Sequence, residues 1–160
     1  MTLNDFTTFY EREHETTRKV LQAFPADRAD FKPHERSNTA LQLGALFLAE
    51  EQMVARALRS EPVLGGGPFP SPADWQAVLD GFDAVHREVK QALASAKEAE
   101  LKPVTFYVAP RTPGEYQPIQ FAFFMICDQI HHRGQLSVYL RMVGGKVPSI
   151  YGPSGDEPWT

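Results

Sequence analysis

The sequence predicts an all-α protein built as a four-helix bundle, and three observations carry that prediction. Helix breakers fall in clusters: at Pro25 and Pro33, at Pro62 through Pro72 around three consecutive glycines, at Pro103 through Pro118, and at Gly144 to Pro148. Between the clusters lie four stretches almost free of proline whose apolar residues recur at helical spacing. The stretches are matched in length at about 20 to 26 residues, or ~30 to 39 Å at 1.5 Å per residue, as a bundle requires.

The first stretch, from about Asp5 to Phe24, sets Phe6, Phe9, Tyr10, Thr17, Val20, Leu21 and Phe24 on one side, while Glu11, Arg12, Glu15, Arg18 and Lys19 fall mostly elsewhere. The second opens at Ser37 or Asn38, both good N-caps, and runs to about Leu58 with Leu41, Leu43, Leu46, Phe47, Val54 and Leu58 as its apolar set. The third begins at Ser71-Pro72-Ala73-Asp74, with Ser71 as cap and Pro72 at the first helical position, where a missing N–H costs nothing. Its stripe is Trp75, Val78, Leu79, Phe82, Val85, Val89 and Leu93. The fourth starts near Pro118, continues through Phe121, Phe124, Met125, Leu136, Tyr139, Leu140 and Val143, and stops at Gly144-Gly145, where glycine takes the left-handed conformation readily. Gly134 inside it costs ~1 kcal/mol relative to alanine, which predicts close approach of another helix. All three connections are long, so crossovers are open and the helix order is not determined. One short β-prone segment, near 101–108, contains Val104, Thr105, Phe106 and Tyr107 and either pairs as a strand or lies over the bundle end.

Length and composition bound the function classes. A chain of 160 residues and 18.0 kDa is expected to form one domain, 1–160, with a C-terminal tail from about 144. A net charge of -4 and a pI near 5.7 argue against a nucleic-acid partner. The longest apolar run, Phe121 to Cys127, is far shorter than the ~20 residues of a membrane span, and the N-terminus lacks the features of a secretory leader, so a cytoplasmic location is expected. A single cysteine, Cys127, excludes an intrachain disulfide, and between Ile126 and Asp128 it reads as a buried, inert thiol. Dinucleotide, P-loop, H-E-x-x-H and G-x-S-x-G patterns are missing from the sequence.

The residues able to carry chemistry are few. Asp128 and His132 stand four apart on the fourth helix, so they project from one face one turn apart, and both are competent ligands for a first-row metal. An isolated pair of this kind is more often a helix-surface hydrogen bond. His131 is rotated ~100° from His132 and cannot share its site. His14 on the first helix and His86 on the third lie on or beside inner stripes, and Glu50 or Glu51 on the second is expected to face inward. His34, in a loop, reads as solvated.

The string His131-His132-Arg133-Gly134-Gln135-Leu136, with Tyr139-Leu140-Arg141, resembles the last helix of the DinB family, the damage-inducible bundle proteins grouped with YfiT-like metal-dependent hydrolases. The segment from Val147 to Glu157 resembles the tail of one subgroup, and the four-helix layout extends the likeness over nearly the whole chain. The resemblance implies a bundle with long crossover connections, commonly dimeric, holding a divalent metal on three histidines, one on the second helix and two four apart on the fourth. Relatives include thiol-dependent S-transferases and a maleylpyruvate isomerase. Carried onto this chain, the last ligand is His132. Asp128 stands where the fourth helix has its other histidine, and Leu46, or Phe47 if the register shifts by one, stands at the first-ligand position.

The resemblance therefore implies a degenerate site. The expected function is a stress-associated, homodimeric, small-molecule-binding bundle with weak or no metal. The alternative is a metal-dependent enzyme, a thiol S-transferase or a hydrolase, on a site rebuilt from His132, Asp128 and a third ligand among Glu50, His86 and His14, holding nickel or zinc. Arg133 and Gln135 are expected to serve architecture, with Arg133 paired to a carboxylate or to the tail at Asp156 and Glu157.

Overall fold

The structure, a computed structural model, describes residues 1–63, 70–106 and 113–158. Its four long helices are α1 (Leu3–Ala23), α2 (Ala40–Leu58), α3 (Trp75–Ser95) and α4 (Pro118–Met142). The glycine run of the second connection, with Tyr107 and Val108 of the β-prone segment, lies outside the described residues. The rest of that segment pairs: β1 (Val104–Phe106) runs antiparallel to β2 (Gly114–Tyr116), and Val63 donates its N–H to Thr105 O at 3.0 Å beside it. No helix among the described residues is long and apolar enough to cross a membrane.

The helix starts are set by side-chain caps, and two differ from expectation. α2 is capped by Thr39 rather than Ser37 or Asn38, because Thr39 and Gln42 satisfy each other's backbone N–H groups in a reciprocal capping box. α3 starts later than Pro72: Asp74 takes the cap, accepting from Ala77 N at 2.8 Å. α4 begins with Pro118 as its first residue and ends with Gly144 at φ +81°, where Gly144 N donates to Arg141 O and Gly145 N to Leu140 O, a Schellman closure.

Around the bundle the packed neighbours are α1 with α3, α3 with α2, α2 with α4, and α4 with α1. The α1–α2 and α3–α4 connections therefore cross the bundle diagonally, as long connections permit. The core has two apolar halves. One joins Phe6 and Tyr10 to Val54, Leu58, Val89, Phe121, Met125 and Ile126, and the small sheet packs on it through Val104 and Phe106. The other joins Val20, Leu21 and Phe24 to Leu43, Phe47, Trp75, Val78, Phe82, Leu136 and Leu140. Each half takes the N-terminal part of α1 and α4 with the C-terminal part of α2 and α3, or the reverse, so α1 runs with α4 and α2 with α3. Between the halves lies a level of buried polar residues, Glu13, His14, Glu50, Glu51, Gln129 and Arg133.

Of two expectations about α4, the carboxylate partner of Arg133 is found and the close approach at Gly134 is corrected. Arg133 does pair with a carboxylate, but the partner is Glu13 on α1 at 2.9 Å, with Thr17 and the Tyr151 hydroxyl accepting and sharing its remaining donors. Asp156 instead binds Arg141, and Glu157 accepts from Ser149 N, so the tail is tied to the end of α4. Gly134 is exposed and a Cβ there would meet nothing within 4 Å, so no helix of this chain explains it. The glycine that admits close packing is Gly44, whose Cβ would stand 2.8 Å from Val78.

Candidate functional site

α2 contributes two adjacent carboxylates to the polar level, and because consecutive helical residues diverge by ~100° they face different neighbours. Glu50 turns toward α4. His132 Nδ1 lies 2.8 Å from Glu50 Oε1, and Asp128, one turn earlier on α4, completes a group whose three ligand atoms lie within 4.8 Å of one another. Phe47, buried one turn before Glu51, sets its ring edge-on to the His132 imidazole at 6.4 Å, while Leu46 is only half-buried and packs on the second apolar half. Of the two residues at the first-ligand position, Phe47 is the one against the imidazole.

The electrostatics of the group follow from its burial. Removal from water pushes the Glu50 carboxyl up to about 7, against the opposing pull of the hydrogen bond and charge of His132, with Asp128 and Glu51 adding to the upward push. Burial disfavours the His132 imidazolium, but the bond to Glu50 and the charges of Glu50 and Asp128 outweigh it and leave its pKa raised. Both shifts favour the protonated forms of the two side chains. Glu50 Oε2, buried, has no hydrogen-bond partner among the described residues.

Glu51 turns the other way, toward α1 and α3. Tyr10 donates to Glu51 Oε2 at 2.6 Å, His86 Nδ1 lies 2.9 Å from the same hydroxyl, and His14 Nδ1 stands 3.6 Å from Glu51 Oε1. Burial and the Glu51 charge keep the phenol protonated, while burial and the neighbouring His14 hold His86 below its ordinary value. The His14 and His86 rings stack at 3.6 Å, so their lone pairs run side by side and cannot converge on one ion. Of the three expected third ligands, Glu50 joins Asp128 and His132, while His14 and His86 belong to this second network. Tyr10 and Glu13 were missed as polar members of the interior. The signal was present, since Phe6, Tyr10, Glu13, Thr17 and Val20 follow one helical stripe.

The remaining singled-out residues stand apart. His131 is exposed and bonds Gln135 one turn on, and His34 is exposed with its ring accepting Arg36 N. Cys127 is half-buried rather than buried, and burial together with Glu13 and Asp128 pushes its thiol up, away from the reactive thiolate.

The donor set suits a divalent cation in kind: an imidazole and two carboxylates from facing helices, one oxygen buried and unengaged. It differs from an all-imidazole site because two of its donors are carboxylates and Glu50 already contacts His132 Nδ1, so a cation must compete with that contact.

Comparison with known proteins agrees with the fold. The crystal structure of a DinB-like protein from Bacillus cereus ATCC 10987 superposes with a TM-score of 0.75 at 20% identity, covering 94% of this chain and 98% of that one. A DinB-like protein from Bacillus subtilis, YjoA, superposes at 0.69 with 16% identity, covering 90% and 96%. The uncharacterized protein YrdA of Bacillus subtilis (strain 168) is 30% identical over 90 residues, so the match spans 56% of this chain and about half, 52%, of that relative. Residues 1–159 match the DinB family as a whole, and the chain belongs to it.

Proposed function

We propose that this DinB-family bundle binds a small polar molecule at the Glu50–Asp128–His132 group, and that the same group takes a divalent cation only weakly, in competition with protons. The observation that carries the reading is the 2.8 Å contact of His132 with Glu50 beside Asp128. Two carboxylates and one imidazole offer mostly acceptors, so the group favours ligands that bring donors, such as an amine or amidine. A cation of the zinc or nickel type finds one imidazole there, whose Nδ1 is engaged by Glu50. Replacing imidazoles by carboxylates at a first-row metal site lowers its preference for these softer ions. A catalytic role through the family's metal chemistry has no separate observation in its favour.

The test is metal content and cation titration on protein purified without an affinity tag. Expected are well under one equivalent of retained metal, weak calorimetric zinc binding, and loss of that binding in Glu50→Gln and His132→Ala. Stoichiometric metal surviving dialysis removes the weak-cation reading. A binding isotherm unchanged by either substitution removes the site.

A further inference from the structure

The network that Glu51 enters reaches the surface in the seam between α1 and α3. There Thr7, Glu11, Lys90, Leu93 and Ala94 line a cleft of about 220 Å³, with apolar Leu93 and Ala94 on the α3 side. Glu11 belongs to both cleft and network: its Oε1 lies 3.9 Å from Lys90 Nζ, and its Oε2 lies 3.5 Å from His86 Nε2. His86 is not sealed off, since 16% of its side chain is exposed.

Counting hydrogens fixes the tautomer of His86. Tyr10 has one hydroxyl hydrogen and gives it to Glu51 Oε2 at 2.6 Å, so its oxygen has only acceptor capacity left for His86 Nδ1, 2.9 Å away. Nδ1 therefore carries the ring hydrogen and Nε2 a lone pair, which faces another acceptor in Glu11 Oε2. Burial and the neighbouring His14, with Lys90 adding, hold the imidazole below its ordinary value against the charges of Glu11 and Glu51, so the lone pair is free at neutral pH. Stacking of the His14 ring at 3.6 Å and the Tyr10 ring at 5.5 Å restrains the imidazole. Glu51 thus acts through Tyr10 to orient His86, as the buried carboxylate of a hydrolytic triad orients its histidine.

We infer that His86 is the nucleophile of a second site, separate from the Glu50–Asp128–His132 group, that hydrolyses short-chain esters with good leaving groups. Nε2 attacks the ester carbonyl carbon, the carbon–oxygen bond to the leaving group breaks, and that group departs with the bonding pair. The acylimidazolium keeps its Nδ1 hydrogen on Tyr10, and the Glu51 carboxylate behind it offsets the new positive charge. Glu11 Oε2, beside Nε2, takes a proton from the water that adds to the acyl carbon. The carbon–nitrogen bond then breaks, its pair returns to Nε2, the carboxylic acid leaves, and Glu11 releases its proton to solvent. Lys90 supplies the ammonium nearest the developing oxyanion. The cleft is smaller than the ~300–1,000 Å³ of ordinary ligand pockets, so Leu93 and Ala94 have room for a short acyl chain only.

Release of p-nitrophenolate from p-nitrophenyl acetate by the full chain tests it. The parent should exceed free imidazole at equal concentration by about tenfold or more, and His86→Gln should lose at least about tenfold of the rate. The exposed histidines serve as the reference, so His34→Gln with His131→Gln should stay within about twofold of the parent. Glu11 is 36% exposed and tolerates substitution, and Glu11→Gln should keep a rapid first acylation while steady turnover falls by about tenfold. Nitrogen-15 NMR of the parent should show His86 as the Nδ1–H tautomer. In Tyr10→Phe the tautomer should change to Nε2–H and acylation should slow with it, which a merely structural loss would not produce. Turnover no faster than free imidazole, a rate unchanged in His86→Gln, steady turnover unchanged in Glu11→Gln, or an Nε2–H tautomer in the parent would each overturn the inference. These readouts are independent of whether the Glu50 group takes a cation or an amine.

Discussion

Replacing Arg133 by alanine should destabilise the protein severely while leaving the Glu50–Asp128–His132 group able to bind. Arg133 is 1% exposed and Glu13 is 2% exposed, and the pair is bonded at 2.9 Å with Tyr151 and Thr17 completing the set. Removing one member of a buried ion pair leaves the other charge without compensation and costs ~3–5 kcal/mol. For a chain of this size ~1 kcal/mol moves Tm by about 2–4 °C, so Arg133→Ala should melt about 10 °C lower. The Tyr151 hydroxyl still donates to Glu13 Oε2 at 2.6 Å, which holds the loss toward the lower end.

The pH dependence supplies a second handle. Burial works to raise the Glu13 carboxyl, but the hydrogen bonds from Tyr151 and Arg133 and the guanidinium charge outweigh it and hold the pKa below its ordinary value. A depressed carboxyl stabilises the fold above its unfolded pKa of ~4.3, and that contribution is lost as pH falls through the folded value. Without Arg133 burial dominates and the sign reverses, so the deficit of Arg133→Ala should shrink on acidification from pH 7 to 5. The paired change Glu13→Met with Arg133→Met should recover much of the loss, because a buried ion pair is often matched by apolar residues. Thermal melts of the parent and the two variants between pH 5 and 8 decide the matter. A single variant melting within about 2 °C of the parent, or a deficit that grows on acidification, would refute the reasoning.

Other outcomes follow from the same structure. The Glu50 pKa near 7 and the raised His132 pKa mean that the folded state holds protons more tightly than the unfolded chain, so Tm should fall as pH rises from about 5 to 8, and Glu50→Gln should flatten that slope in differential scanning calorimetry. Cation uptake should release protons and tighten over the same range, read by zinc titration in two buffers of different ionisation heat. Phe47→His with Asp128→His should create stoichiometric zinc or nickel binding by elemental analysis, whereas Leu46→His with Asp128→His should not, because Phe47 is the side chain that meets His132. Gly144→Ala should cost about 1 kcal/mol in chemical denaturation, since Gly144 holds φ +81° at the end of α4.

How much of this was legible in the sequence can be traced residue by residue. The four helices were, because a 3.6-residue apolar period broken by proline and glycine is a local signal. The cap of α2 was misplaced by one or two positions since Ser37, Asn38 and Thr39 are all good caps in isolation, and only the reciprocal bond with Gln42 separates them. Asp128 and His132 were readable from spacing on one helix. Their third companion was not, because Glu50, His14 and His86 all sit on inward stripes, and the rotation of each helix about its axis decides which of them meet. The partner of Arg133 was hidden for the same reason: Glu13 lies 120 residues away on another helix, while the nearer Asp156 is taken by Arg141.

The polar level between the two apolar halves links stability to function. Four buried atoms there, His14 Nδ1, Glu50 Oε2, Glu51 Oε1 and Gln129 Nε2, have no hydrogen-bond partner among the described residues. A buried polar group left unsatisfied costs ~1–3 kcal/mol, so a bundle selected for stability alone would fill this level with leucine. Glu13 and Arg133 are satisfied by each other together with Thr17 and Tyr151, which separates them from the rest as architecture. The unsatisfied atoms instead cluster beside the two networks that Glu50 and Glu51 extend in opposite directions from one turn of α2. A molecule that supplies donors to Glu50 relieves a cost the folded chain already carries, and its binding must therefore raise Tm. That makes thermal shift against a panel of small amines and amidines a direct way to search for the ligand, with Glu50→Gln as the control that should lose the response.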